Sequence, residues 1–371
     1  MTATATKTKT SAGTTITIPR TELLQALAAV GRAVPSRAPQ PILLNVRIGD
    51  GVISGTDLEV RIDATISEMC VPFLVPHARL LAIVRASTGD SVTLKASATT
   101  VTVKCGGGKW ELPTEDVAEY PTWEPADLKA VCRLPADQFA RAARATTYAT
   151  DTESSRFALG AVLLEIVGGN PTWVATDGRR LACVETETDQ AVDDRHVLVP
   201  ARVLSIVASM ATGDGGVQIM ATSSEIRCEL DAVTVTGRLT EGTFPRWRDV
   251  VGTPDGDASV VEVHELLATV RAAAIVTSEQ SKGVDLTWTS GKLVISGKSS
   301  EYGESTVKCD IVSAGTTSST KLDPAFLVDF LSSLPPDEEP QVDIYATSPQ
   351  DRVLLRCGPY TGVIMPLAAD A

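Results

Sequence analysis

The chain contains the stretch Thr172-Trp173-Val174-Ala175-Thr176-Asp177-Gly178-Arg179-Arg180-Leu181-Ala182. Apolar runs on both sides of Asp177-Gly178 predict a strand, a tight turn and a second strand that resumes at Leu181, because glycine adopts a positive φ at no steric cost. Two arginines beside a leucine would set a basic edge against an apolar surface at one end of this hairpin. From this stretch alone, a solvated hairpin tip and a functional edge are both open interpretations.

Composition indicates a soluble, globular chain of two or three domains. It has 371 residues, of which 43% are hydrophobic and 21% charged, and a formal net charge of −13. Aromatic residues make up only 4%, whereas Val, Thr, Ile and Ala are abundant, which favours strands. There is no apolar run long enough to span a membrane and no apolar segment near the start, so we expect a cytoplasmic protein with a disordered tail at residues 1–14.

The residue types that carry chemistry are scattered. Seven cysteines occur without a C-x-x-C pair, which favours reduced thiols over disulfides or a zinc site. The three histidines, His77, His196 and His264, are far apart. Asp57, Glu59 and Asp177 have no histidine nearby in sequence, and there is no phosphate-binding loop. We therefore expect no enzyme, no catalytic residues, no metal and no cofactor.

Segments with helical spacing of apolar residues recur six times. Five of the six begin at a proline, which is favoured at the first helical position because its missing N–H would have no partner there. Successive starts are 57 to 65 residues apart and lie at Pro19, Pro76, Pro135, Pro200, Val263 and Pro324. A nearly constant interval of this size indicates six copies of one supersecondary unit.

Between the helices, apolar and polar residues alternate, for example at 92–95, 217–220 and 293–296, which predicts antiparallel strands joined by short turns. A basic residue followed by cysteine recurs in this context at 104–105, 227–228, 308–309 and 356–357. The predicted fold class is α+β, with three similar domains of two helix-plus-antiparallel-sheet units each and with the helices on one side. The predicted domains are 15–128, 129–255 and 256–371.

Four motifs in order carry a resemblance to a known family. They are Pro41-Ile42-Leu43 followed by Gly55-Thr56-Asp57-Leu58-Glu59, then Ala175-Thr176-Asp177-Gly178-Arg179-Arg180-Leu181-Ala182, Glu241-Gly242-Thr243-Phe244-Pro245-Arg246-Trp247 and Val363-Ile364-Met365-Pro366-Leu367. Together with the sixfold repeat, they resemble the bacterial DNA polymerase III beta subunit, the DNA sliding clamp. The resemblance covers nearly the whole chain beyond the tail and implies the DNA-clamp architecture.

The resemblance implies a head-to-tail homodimeric ring around double-stranded DNA that tethers the replicative polymerase through sequence-independent contacts. It implies as partners the DNA polymerase III alpha subunit, the clamp loader, and other polymerases and repair proteins that bind through short peptide motifs, with no membrane contact. The alternatives are a specialised or phage-type clamp copy, or a peptide-binding scaffold with altered partner choice and weak DNA tethering.

Charge placement is consistent with a DNA-facing helix layer. The windows 19–32, 76–88, 135–147, 200–212, 262–275 and 323–334 contain eight basic and six acidic residues, in a chain of net charge −13. The last two windows contain one arginine against four acids, so this lining is weaker in the third domain. A solvated helix face is the alternative for each arginine. The predicted DNA-facing residues, with one taken from the loop after the first helix by resemblance, are Arg20, Arg32, Arg37, Arg79, Arg85, Arg141, Arg144, Arg202 and Arg271.

The resemblance also implies a groove for partner peptides, in which apolar side chains form a slot and the hairpin turn a polar rim. A core strand that merely closes the sheet is the alternative for the terminal segment. The chain departs from the family at Arg179, where histidine is usual, at Asp249, where arginine is common, and in its last four residues. The predicted groove residues are Leu159, Thr176, Gly178, Arg179, Arg180, Leu181, Pro245, Val250, Val363, Ile364, Met365, Pro366 and Leu367.

Overall fold

The computed structural model describes residues 13–123, 127–151, 157–188, 193–278, 283–289, 291–335 and 340–368. The predicted disordered tail, apart from Gly13 and Thr14, lies outside the described residues. Part of the predicted linker between the first two domains, residues 124–126, lies outside them as well.

Six of the helices are those that the repeat predicts, and one short helix, α5, is not. Each of the six has one buried apolar face, as in α3, where Phe139, Ala142 and Ala143 are buried. The helices are α1 (Arg20–Val30), α2 (His77–Ala86), α3 (Ala136–Thr147), α4 (Ala201–Ala208), α5 (Trp247–Val251), α6 (Val263–Ala274) and α7 (Pro324–Ser333).

The strands are short and antiparallel; several alternate buried and more exposed residues, whereas others contain runs of three or more buried residues. They are β1 (Thr15–Pro19), β2 (Asn45–Gly49), β3 (Val52–Thr56), β4 (Val60–Thr65), β5 (Phe73–Pro76), β6 (Ser91–Ala96), β7 (Thr100–Cys105), β8 (Gly108–Pro113), β9 (Lys129–Pro135), β10 (Ala161–Val167), β11 (Asn170–Thr176), β12 (Arg180–Glu185), β13 (Arg195–Pro200), β14 (Gly216–Ala221), β15 (Glu225–Leu230), β16 (Val233–Arg238), β17 (Ser259–Glu262), β18 (Val284–Thr289), β19 (Lys292–Ser299), β20 (Gly303–Asp310), β21 (Thr320–Leu322), β22 (Gln341–Tyr345), β23 (Val353–Cys357) and β24 (Tyr360–Ile364).

The repeated unit is one strand, one long helix and a meander of three strands. It runs from β1 through α1 to β4, and the same order recurs to β8, β12, β16, β20 and β24. Successive units are paired, because the first strand of one unit joins the meander of its neighbour: β1 pairs with β6 and β5 with β2. In the same way, β17 pairs with β22 and β21 pairs with β18. The fold is therefore α+β, with three similar domains of two units each.

The prolines occupy a different position from the one that the sequence predicts. Pro19, Pro76, Pro135 and Pro200 are N-cap residues, not first helical residues, with ψ between 114° and 144°. Each is also the last residue of its unit's first strand, where an extended backbone is required. Only Pro324 of α7 lies inside the helix, after the capping side chain of Asp323.

By its contacts the chain divides into two compact bodies, each larger than one repeated unit. The first is Met1–Lys129 with Gln218–Arg238, and the second is Ala130–Val217 with Leu239–Ala371. In the first, the third meander strands β4 and β16 pair. In the second, β12 pairs with β24, which makes a sheet in the order β13-β10-β11-β12-β24-β23-β22-β17. The domain boundaries at 128/129 and 255/256 stay predictions.

The repeat in the basic–cysteine pairs is less regular than the sequence indicates. Cys105, Cys228 and Cys357 end or lie within the middle strand of a meander, so these three pairs do occupy matching places. Cys309 instead lies in β20, the third strand of its unit. The pair at 308–309 is therefore not equivalent to the other three, although its cysteine is buried like Cys105 and Cys228.

The core of the second compact body lies between α3 and the eight-stranded sheet that contains β11. Phe139 of α3 and Trp173 of β11 are both fully buried, and their rings meet edge to face at 5.6 Å between centroids. The Trp173 Nε1–H donates to Thr186 Oγ1 at 3.2 Å, so its polar atom is satisfied. This packing places helices on one face of the sheet and leaves the opposite face to the site described below.

We expect Phe139→Ala to lower the free energy of unfolding by about 3–5 kcal/mol, because it leaves a cavity beneath Trp173. Urea denaturation of the full chain would measure the change. Val167→Ala, at a side chain that is 55% exposed, is the control and should change stability by less than about 0.5 kcal/mol. Equal effects of the two substitutions would contradict this assignment of the core.

Candidate functional site

The hairpin between β11 and β12 is held by its own side chains. Thr176 Oγ1 donates to the Arg180 carbonyl at 2.6 Å and accepts from the Gly178 amide at 3.1 Å. Asp177 Oδ1 accepts from the amides of Arg179 and Arg180, both at 2.9 Å. Gly178 has a φ of +86°, which explains the glycine. The predicted turn is confirmed, and the strand resumes at Arg180, one residue earlier than predicted.

The first unit contains the same turn at the equivalent place between β3 and β4. Thr56 Oγ1 donates to the Val60 carbonyl and accepts from the Leu58 amide, while Asp57 Oδ1 accepts from the amides of Glu59 and Val60. Leu58 takes the glycine position with a φ of +81°, a conformation that costs roughly 1–2 kcal/mol for a residue with a Cβ. Two of the repeated units thus share this turn, and the side chains that it presents distinguish the copy at 176–180 from the copy at 56–60.

The two arginines of the second turn have different environments. The Arg180 side chain is 14% exposed and donates to Asp177 at 2.9 Å, to Asp329 of α7 at 2.6 Å and to the Tyr148 carbonyl at 2.5 Å. Its guanidinium also lies 4.5 Å from the centre of the Phe326 ring. Arg179 is exposed, and its side chain has no hydrogen bond or ion pair among the described residues. Arg180 therefore ties the turn to the helix layer, away from the predicted groove.

Opposite the helices, the sheet carries an apolar surface. Leu181 of β12 and Val363 of β24 are cross-strand partners and belong to one buried cluster. Phe244, Trp247 and Val251, from the segment before and within α5, pack against it while partly exposed. The turn, the segment around α5 and the last strand therefore meet on one surface, as the groove prediction requires. The rest of the cluster is Ala161, Leu163, Val174, Cys183, Leu198 and Leu354.

The exposed rim of this surface is amphipathic. The Met365 amide donates to the Arg179 carbonyl at 2.8 Å, so the chain end continues the pairing of β12 with β24 beyond the turn. Met365 and Val250 are 42% and 39% exposed, and Pro245 is exposed as well. We use the name groove rim for Arg179, Val250, Met365 and Pro245.

Other predicted groove residues have different surroundings. Leu159, Thr176 and Ile364 are buried, and Thr176 is occupied within the turn. Gly178 is exposed at the tip, where a Cβ would meet open space. Pro366 and Leu367 are half-buried, and the Leu367 amide donates to the Lys321 carbonyl at 2.8 Å.

A cavity of about 480 Å³ lies beside the groove rim and shares Pro245 with it. Its wall includes Leu163, Leu198 and Trp247. Glu165 Oε2 accepts from Trp247 Nε1 at 3.2 Å and from the Arg248 guanidinium at 2.5 Å. Apart from Pro245, none of these residues is among the predicted groove residues, although Trp247 belongs to the quoted motif at 241–247. Glu165 and Leu163 belong to no recognisable motif. Only the alternation of side chains along β10 places them on this face of the sheet.

The predicted DNA-facing arginines fall into two groups. Several have partners: Arg141 forms an ion pair with Asp137, Arg271 donates to Ser332 at 3.1 Å, and Arg20 donates to the Val84 carbonyl at 3.3 Å. The first group also contains Arg32, which donates to the Ala28 carbonyl, and Arg202, which is exposed. The other group is exposed without a side-chain hydrogen bond or ion pair among the described residues, and comprises Arg37, Arg79, Arg85 and Arg144.

All six acidic residues of the helix windows, by contrast, accept hydrogen bonds from the protein itself. Asp329 binds Arg180, Asp323 caps α7, and Glu265 accepts from the Asp310 amide at 2.9 Å. The other three carboxylates accept from Ser67, Arg141 and Gln341, and they are Glu22, Asp137 and Glu262. Of the four acids of the third domain, three are bound by groups of that domain and Asp329 is bound by Arg180 of the second domain, which a count of charges could not reveal.

The described residues contain no group of His, Cys, Asp and Glu arranged to hold a metal ion. All seven cysteines are unpaired, and burial raises the pKa of the thiols of Cys132 and Cys183 to about 12. These thiols are therefore protonated at neutral pH. Within the described part of the chain, we find no helix long and apolar enough to cross a membrane.

Comparison with known families identifies this architecture. The model of the DNA polymerase III beta subunit N-terminal domain matches residues 14–124, and the model of its central domain matches residues 133–246. This chain belongs to the DNA polymerase III beta subunit family. The beta sliding clamp of Pseudomonas putida is 28% identical over 327 residues, which cover 85% of this chain and 89% of that protein. That of Escherichia coli is 26% identical over 86% of this chain and 90% of its own length.

Solved structures of the family superpose closely. The sliding clamp of Pseudomonas aeruginosa bound to griselimycin has a TM-score of 0.88 at 25% identity, and covers 96% of this chain and 100% of its own. The clamp of Bacillus subtilis has the same TM-score at 21% identity over 97% of this chain and 100% of its own, which supports the fold.

We expect Arg180→Ala to lower the free energy of unfolding by about 2–3 kcal/mol, because it leaves the Asp177 and Asp329 carboxylates without their cation. The partial exposure of Asp329 keeps the loss below that of a fully buried pair. Urea denaturation of the full chain measures it. Arg179→Ala is the matched control, and a loss as large as that of Arg180→Ala would contradict the distinction between the two arginines.

Proposed function

We propose that this chain is a DNA sliding clamp, which encircles duplex DNA and holds a replicative polymerase to it for processive synthesis. Family membership over both matched domains supports the proposal. The observation that carries it is the helix layer, where every acidic side chain of the helix windows is bound within the protein while Arg79, Arg85 and Arg144 are exposed, as is Arg37 in the loop after α1. Exposed cations of this kind suit phosphate contacts that are independent of sequence and so permit sliding.

A head-to-tail homodimer is part of the proposal. Third meander strands pair with each other where domains join, as β4 does with β16 and β12 with β24. The third strands β8 and β20 are instead edge strands of their four-stranded sheets. Pairing β8 of one copy with β20 of another repeats the same junction, and a contact of that heterologous type closes into a ring when the rotation allows it.

The protein would act by tethering and not by catalysis, in the cytoplasm, where the chromosome is replicated. Its partners would be the DNA polymerase III alpha subunit, the clamp loader, and other polymerases and repair proteins that present short peptide motifs. The apolar surface around Leu181 and Val363, with its exposed neighbours Val250 and Met365, is the surface that we assign to these peptides. Leucine and aromatic anchors would supply most of the affinity.

For DNA tethering, we compare two double variants with the same change in charge. Arg79→Glu with Arg85→Glu in α2 should shorten retention on circular DNA several-fold and lower the slope of its salt dependence by roughly one unit for each phosphate that is no longer neutralised. Lys95→Glu with Lys104→Glu, on exposed sheet positions, should leave both unchanged. The readout is dissociation of clamp-loader-loaded protein from nicked circles. Equal lifetimes of the wild type on circular and linearised DNA would overturn the ring.

For the groove, Val250→Glu and Met365→Glu should each weaken binding of a labelled ten-residue peptide by at least about tenfold, because the new carboxylate would be desolvated against an apolar anchor. The peptide contains adjacent Leu and Phe residues and otherwise small or polar ones, and fluorescence anisotropy measures its affinity. Val71→Glu, at a side chain that is 64% exposed elsewhere, is the control. Unchanged binding by both groove variants would contradict the assignment.

A further inference from the structure

The groove rim combines an uncompensated cation with an exposed thioether. Leu181 and Val363 are opposite each other, and the hydrogen bond from the Met365 amide to the Arg179 carbonyl extends their pairing toward the turn. Arg179 precedes Leu181 by two residues, and Met365 follows Val363 by two. Because side chains alternate along paired strands, Arg179 and Met365 belong to the same face as Leu181 and Val363.

The backbone of Arg179 is held while its charge is left available. Its amide donates to Asp177 and its carbonyl accepts from Met365, so both backbone polar groups are satisfied. The neighbouring carboxylates of Asp177 and Asp329 both bind Arg180. Arg179 itself is exposed, and no described residue forms an ion pair with it. A guanidinium in this position can bind a carboxylate of a partner through two parallel N–H donors.

We propose that Arg179 is a specificity-determining residue of the groove, which selects peptides that carry a carboxylate about two residues from their apolar anchor. The inference rests on the proposed peptide-binding function of the groove. Arg179 is two positions before Leu181, which corresponds to roughly 7 Å along an extended chain. An extended peptide covers that distance in about two residues, so the position of the carboxylate is set relative to the anchor.

Charge complementarity at an exposed rim changes selectivity more than total affinity. The apolar surface supplies most of the binding, whereas an ion pair at its edge contributes modestly and is screened by salt. A peptide with Asp at the selected position should therefore bind roughly three- to tenfold more tightly than its Asn twin at low salt, with the difference decreasing as salt is added.

The test measures the anisotropy of the Leu-Phe peptide in four forms: Asp two residues before the anchor, Asp two residues after it, and the Asn twin of each. A Lys twin of each Asp peptide is added for the Arg179→Glu variant. We expect one of the two Asp peptides to be preferred by the wild type. Arg179→Gln should abolish the preference, and Arg179→Glu should replace it with preference for a Lys twin. Arg179→Lys should restore part of it. Lys104→Gln, which removes one exposed positive charge from β7, should leave it unchanged.

The outcomes separate this inference from the groove assignment. If all four peptides bind the wild type equally well, Arg179 does not select a carboxylate, although the groove proposal stands. A preference that persists in Arg179→Gln likewise overturns the role of Arg179, because another group must then recognise the charge. If none of the peptides binds the wild type, the groove assignment itself fails and the inference fails with it.

Discussion

The antiparallel pairing of β12 with β24 sets Leu181 opposite Val363 and brings residues almost two hundred positions apart into one surface. Beyond the last pair, the hydrogen bond between Met365 and Arg179 continues the same register. A shift of β12 by one residue would turn Leu181 toward the helices and bring Arg180 to the face that carries Val363. The groove and the separate environments of the two arginines thus depend on this register.

The repeat supplies the framework, and local substitutions supply the specific features. The turn at 176–180 has the same hydrogen-bond pattern as the turn at 56–60, where Leu58 adopts the conformation that Gly178 adopts in the second copy. What differs is the side chains presented there, Glu59 in one and Arg179 in the other. The same backbone turn therefore presents a different charged side chain in each of these two copies.

Much of the fold could be predicted from the sequence because its signals are local. Apolar spacing located six helices, and alternation located the strands. Prolines marked five of the helix starts, but four of them were placed one residue too far into the helix, since each of these four also ends a strand. The five-residue α5 was missed because it is too short for helical periodicity, and Arg352, which is distant in sequence, binds its C-terminal end by donating to the Val251 and Thr253 carbonyls.

By itself the sequence determined the repeated unit, the turn with its two arginines and, by resemblance, the family. Only the tertiary structure decided which charges are available. Arg179 and Arg180 are identical in type and adjacent in the chain, yet strand alternation turns one to solvent and the other to Asp329 and Phe326. Likewise, four of the six acids of the helix windows are bound by partners distant in sequence, so their effect on the helix layer follows from packing and could not be counted from composition.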